Sequence, residues 1–127
     1  MSFDIFVRGF SDGDAAEGDG RAAMEVIEPL IVERGDDWAR IATGDGDADV
    51  YGIDSASSGF MFNHISGTDA FTVIYEVARR AGFVVMPVGC RTCVTSHEQS
   101  EHLPLMLAED VAVIASGDDL KQTITTA

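Results

Sequence analysis

Lysine is almost missing from this chain. Lys121 is the only one, and together with seven arginines it faces 22 carboxylic acids across 127 residues. The formal charge of −14 argues against nucleic acid or an anionic membrane surface as a partner, because both recruit basic patches. The acids run from Asp4 to Asp119, so the charge belongs to the whole surface and not to one tail. Long apolar runs are missing too. None approaches the roughly 20 residues that cross a bilayer, so no membrane span is expected. The opening Met-Ser-Phe-Asp-Ile-Phe-Val-Arg has no basic region followed by an apolar core and a cleavage site. It reads as a strand, and a cytoplasmic location is the expectation. Cysteine is sparse, with only Cys90 and Cys93. Two thiols in a cytosolic chain do not predict a structural disulfide.

The residues that are present predict a folded domain. Hydrophobic types make up 46% of the chain, too many for a disordered acidic polypeptide, and the length suits one ordinary core. The expectation is a single domain over residues 1–127. Abundant Asp, Ala and Gly beside scarce Lys also fits a GC-rich genome or salt adaptation. The charge therefore speaks to solubility and association, not to fold.

Alternation over Phe3 to Phe10 predicts a first strand, with Phe3, Ile5 and Val7 on one side and Asp4, Phe6 and Arg8 on the other. Gly9 to Gly20 is acidic and glycine-rich and reads as a mobile loop. From Arg21 a helical spacing links Ala23, Val26, Ile27, Leu30 and Ile31, and Pro29 is expected to kink that helix. The competing reading ends the helix at Pro29 and starts a strand over residues 30–33. Trp38 to Thr43 and Ala48 to Ile53 read as strands joined by Gly44-Asp45-Gly46-Asp47, a hairpin signal. Phe60 to Ile65 is the next strand. Ala70 to Ala81 is the clearest helix, capped by Thr68 or Asp69 and ended by Gly82. Phe83 to Val88 suits a central strand. Cys90 to Glu101 is polar, with a short helix from the Ser96/Gln99 capping pair. Val111 to Ala115 is a last strand, followed by a helix over Leu120 to Thr125. The order predicts an α+β two-layer sandwich, a mostly antiparallel sheet with helices packed on one face.

Cys90-x2-Cys93-x3-His97-x4-His102 supplies the ligand types of a tetrahedral zinc site. Over these thirteen residues the spacing resembles a zinc knuckle. A knuckle usually ends in cysteine and carries basic and aromatic flanks, whereas this segment carries Glu98 and Glu101. On one helix His97 and His102 would lie about 140° apart, poorly placed for joint ligation. Two small buried thiols beside exposed histidines is the plainer reading. Cys90-Arg91-Thr92-Cys93 as a redox dithiol would need a helix behind it, and the order of elements does not resemble thioredoxin. A Cys90–His64 nucleophilic pair has no supporting context. Asp45-x-Asp47-x-Asp49 begins like a calcium loop, but Val50 and Ala56 stand where that loop needs Gly and Glu. Gly9 to Gly20 lacks the nucleotide-loop spacings, and its acids would repel phosphate. Glu25, Glu28 and Glu33 are read as a solvated face.

The sequence therefore points to a binding protein and not an enzyme, with no catalytic residues and no cofactor assigned. In size and charge it is similar to bacterial immunity proteins and other small inhibitors that neutralise a basic toxin. Asp12, Asp14, Glu17, Asp19, Trp38, Asp45, Asp47, Asp49 and Tyr51 are the candidate partner contacts, around an apolar or aromatic anchor. The alternative is a zinc or thiol protein using Cys90, Cys93, His97 and His102. A homo-oligomeric structural domain is a third reading.

Overall fold

The computed structural model describes residues 4–126. Its strands are β1 (Ile5–Ser11), β2 (Asp14–Ala16), β3 (Ile31–Arg34), β4 (Trp38–Ala42), β5 (Asp47–Tyr51), β6 (Phe60–Ser66), β7 (Val84–Pro87), β8 (Thr92–Val94) and β9 (Val111–Val113). Its helices are α1 (Gly20–Ile27), α2 (Asp69–Ala81), α3 (His97–Ser100), α4 (Leu105–Ala108) and α5 (Gly117–Thr125). The sheet order is β3-β4-β5-β6-β1-β7-β8-β9, with β2 added to the end of β1. Every pairing is antiparallel except β8 with β9. The chain has an α+β fold. The expected residue Phe3 of the first strand lies outside the described residues.

Alternation along the strands divides the sheet into two faces. Ile5, Val7, Ala39, Ile41, Val50, Phe60, Phe62 and Val85 turn to one side and are buried there under α1, α2 and α5. Helix α2 contributes Ala70, Phe71, Ile74, Val77 and Ala78 to that core, and α5 contributes Leu120. On the opposite side a smaller core joins Val84, Val94 and Leu103 to Phe10, Met86, Leu107 and Val111. The short-helix segment that holds Leu103 and Leu107 thus covers only the β7–β9 end of the second face. Over β4, β5, β6 and β1 that face has no helix on it among the described residues.

Three local readings change. Of the expected loop over residues 9–20 only 17–19 remain irregular, because β1 runs to Ser11 and pairs with β2 across Asp12-Gly13. Both turn residues have positive φ, 52° and 86°, which suits a two-residue hairpin turn. At Pro29 the helix stops instead of kinking: α1 ends at Ile27, a 3₁₀ turn spans Glu28–Leu30, and Ile31 is already extended. A proline without an N–H donor ends the ladder where no packing rescues it. Within the polar segment, residues 92–94 form β8, because Cys93 pairs with Val85 and is wholly buried.

Asp45 has a structural task. Its carboxylate accepts the Thr68 N–H at 2.8 Å, the Thr68 hydroxyl at 2.8 Å and the Asp69 N–H at 2.9 Å, so the β4–β5 turn caps α2 from outside the helix. Hydrogen bonds from Asp69 and Thr68 hold this carboxyl below the ordinary carboxylate range. The stabilisation is complete above the unfolded carboxylate pKa of about 3.9 and is lost as pH falls through the lower folded value. Asp45→Ala is expected to lower the melting temperature by several degrees at pH 7. The gap to the parent should close at the acid end of a thermal-melt series.

Candidate functional site

The uncovered part of the sheet carries a row of large side chains laid across the strands. Trp38 pairs with Tyr51, Tyr51 with Met61, Met61 with Phe6, and Phe6 with Met86. The row crosses the uncovered strands β4, β5, β6 and β1 and ends at Met86 of β7, which packs against the smaller core; each member is only half-buried. On a solvated sheet face these positions would ordinarily be polar. Beside the row, Arg8 lies over the Phe6 ring at 5.6 Å and Arg40 over the Trp38 ring at 6.0 Å. Beside Tyr51 and Met61, in the middle of the row, lies a shallow cleft of about 270 Å³. Arg8, Asp37, Tyr51 and Met61 line it, with Gly52 and Gly59. Gly59 has a φ of 110°, and a Cβ there would clash with the Val7 carbonyl oxygen, so the cleft needs that glycine.

One step along the strands lies a polar row. Asp49 is 5% exposed. It accepts a hydrogen bond from Arg40 Nε at 3.1 Å, and its other oxygen lies 2.8 Å from His64 Nδ1. A buried carboxylate needs such partners. The Asn63 amide donates to Asp4 at 3.3 Å in the same row. The register between β5 and β6 slips between Asp47 and Asp49, and in that bulge His64 takes a φ of 50°. The bulge swings the imidazole over Asp49 while Ile65 still packs against the main core. With Nδ1 held by the carboxylate, Nε2 is the nitrogen left to the solvent side of a ring that is 61% exposed. His64 is a fixed, outward-facing polar group at the margin of the row.

The structure brings together only some of the nominated partner contacts. Trp38, Tyr51, Asp47 and Asp49 share the open face. Asp19 caps α1 by accepting the Ala22 N–H at 3.0 Å, and Asp45 caps α2. Asp12, Asp14 and Glu17 lie exposed on or beside the β1–β2 hairpin. Phe6, Met61, Met86, Arg40 and His64 were not nominated. The outward position of Phe6 beside Asp4 and Arg8 was the available signal.

The Cys/His segment is dispersed. Among the described residues no three His, Cys, Asp or Glu side chains converge as metal ligands. His102 turns to the β1–β2 hairpin, where its Nδ1 accepts the Asp12 N–H at 3.3 Å. The Cys93 thiol donates to the Arg91 carbonyl at 3.5 Å, and the Cys90 thiol to the Val88 carbonyl at 3.8 Å. His64 is engaged with Asp49, and no bond joins it to Cys90 among the described residues. Burial pushes the Cys93 thiol up to about 11, the neighbouring Cys90 adds to the rise, and Arg91 opposes it. The thiolate is the reactive form, so one thiol is shielded and one accessible. With a chromogenic disulfide reagent at pH 8, Cys90 is expected to react in the folded chain and Cys93 only after denaturation. Equal rates would contradict the burial of β8.

No helix among the described residues is long and apolar enough to cross a membrane. The chain matches no protein-family model, no curated protein and no solved structure.

Proposed function

We propose that this chain is a small acidic protein-binding module whose open sheet face captures a basic protein. Its role would be that of an inhibitor or immunity-type protein neutralising a toxin in the cytoplasm. The observation that carries the reading is the Trp38–Tyr51–Met61–Phe6 row, half-buried on a part of the sheet that no helix covers among the described residues. Aromatic residues and methionine are the types that anchor interface centres, and a polar rim excludes water around them. Here the rim carries Asp4, Glu33, Asp37 and Asp47, while Arg40 is already held by Asp49. The charge selects the occupant. A second copy would bring one −14 surface against another, whereas a basic protein is drawn in.

The test is the association rate of the chain with the protein it retains from cell extract, measured across a salt series. The expected partner is rich in Lys and Arg, and its association slows about tenfold or more as salt rises. Binding should also be lost in Met61→Glu, which places a charge in the apolar row. A neutral partner with salt-indifferent binding would overturn the reading. So would sedimentation of the chain alone as a dimer that Met61→Glu dissociates.

A further inference from the structure

The sheet has two ends, and they are built differently. At β3 the register slips between Ile31 and Glu33, and the strand carries Glu33 and Arg34, the latter paired with Glu28 at 2.9 Å. Bulges and charges of this kind block strand addition. At β9 the strand is Val111-Ala112-Val113, without charge, proline, glycine or bulge, and its register on β8 is regular. The Ile114 N–H donates to the Val94 carbonyl of β8 at 2.8 Å. Because successive residues of a strand turn their N–H and C=O groups to opposite edges, Ala112 also faces β8. Val111 and Val113 turn theirs outward. The Val111 carbonyl is taken by Arg91 Nη2 at 2.7 Å, while Arg91 Nε holds Asp110 at 2.8 Å. Among the described residues no group bonds the Val111 N–H or the N–H and C=O of Val113. Along this edge runs a groove of about 450 Å³. Residues 111–114 form one wall with Arg91, whose charge is paired with Asp110, and Asp119, Gln122, Thr123 and Thr126 of α5 and its end form the other.

We propose that β9 receives an extended segment of a partner chain as an additional strand, lying in the groove between β9 and α5. The main chain of that segment would pair with the Val111 N–H and with the N–H and C=O of Val113, the mode in which backbone bonds give affinity and alternate side chains give specificity. Two walls of different chemistry set the alternation. Side chains on the α5 side meet Gln122, Thr123 and Asp119, whose carboxylate accepts the Ala115 N–H through one oxygen and keeps the other for a cation. On the other side they meet Val111 and Val113, the latter 46% exposed. The segment that fits alternates basic with apolar residues, and the charge of −14 favours it over an acidic one. This surface is separate from the aromatic row and stands whether or not that row binds a protein.

A displayed library of random linear peptides, selected on the whole chain, tests the proposal without a known partner. Enriched peptides are expected to alternate basic and apolar residues and to protect the Val111 and Val113 amides from hydrogen exchange. Val113→Pro removes one outward N–H, at an edge position that tolerates proline. It should weaken those peptides about tenfold or more. Thr123→Arg fills the groove from the α5 wall without touching the sheet and should have the same effect, which covers the case in which the proline variant does not fold. The proposal is overturned by a selection that enriches nothing. Peptides that bind both variants as tightly as the parent, or that protect amides of β3 or of the open face instead, overturn it equally.

Discussion

Phe62→Ala is expected to cost about 3–5 kcal/mol of folding stability in denaturant titration, while Met61→Ala, one residue earlier, is expected to cost under about 1.5 kcal/mol. The two side chains leave β6 in opposite directions. Phe62 is wholly buried, its ring centroid 6.3 Å from that of Phe60, which in turn meets Phe83 edge-on at 6.1 Å. Truncation there removes apolar area and leaves a cavity between the sheet and α2 that close-packed neighbours cannot refill. Met61 faces the open side between Tyr51 and Phe6 and is only half-buried. Its truncation should leave the fold intact and weaken partner binding. Since a one-residue slip exchanges the faces of a strand, the pair is a direct check of register. Equal losses of stability would mean that the second face is also covered.

Trp38→Ala should weaken binding of the basic partner about 30-fold, close to 2 kcal/mol, with a melting temperature near that of the parent. Trp38 has the largest side chain in the row, at the β4 end, with the Arg40 guanidinium over its ring at 6.0 Å. Arg40 is itself tied to Asp49, so the indole rests against a fixed charge pair. An aromatic anchor of this kind loses little conformational freedom on binding. The effect should appear in the dissociation rate, because the acidic surface that steers encounter is untouched. Asp37→Asn and Glu33→Gln should change mainly the association rate and its salt dependence. A Trp38 variant slowed only in association would show that the indole lies outside the contact.

Much of the fold was legible because local signals agree with the tertiary structure. Helix α2 has a continuous apolar stripe and ends in Gly82, which takes a φ of 77° and donates its N–H to the Ala78 carbonyl. The β4–β5 pair and β6 follow from alternation. The β1–β2 hairpin was missed although Asp12-Gly13 carries the same turn chemistry that marked Asp45-Gly46. The surrounding glycines and acids masked a strand of only three residues. Strand β8 was missed because a three-residue strand has no period to read, and its burial depends on Val85 and Ala112 from distant segments. Trp38 and Tyr51 were legible as a pair, but the full row depends on the register of five strands. His64 depends on a bulge that alternation does not announce. The acidic composition drew attention to Asp45 and Asp49 but not to their structural use: one is a helix cap, the other a buried ion-pair partner.

The most direct test of the open face as the binding surface is a photo-crosslinking scan. A photoreactive phenylalanine analogue is placed in turn at Phe6, Tyr51 and Met61 in the row, and at Val32, Leu105 and Met106, the last three being 65%, 88% and 89% exposed. The account predicts that the row positions cross-link a common basic protein, that the yield falls with salt, and that the three more exposed positions do not. Cross-links concentrated at Leu105 and Met106, or spread evenly over all six positions, would contradict it.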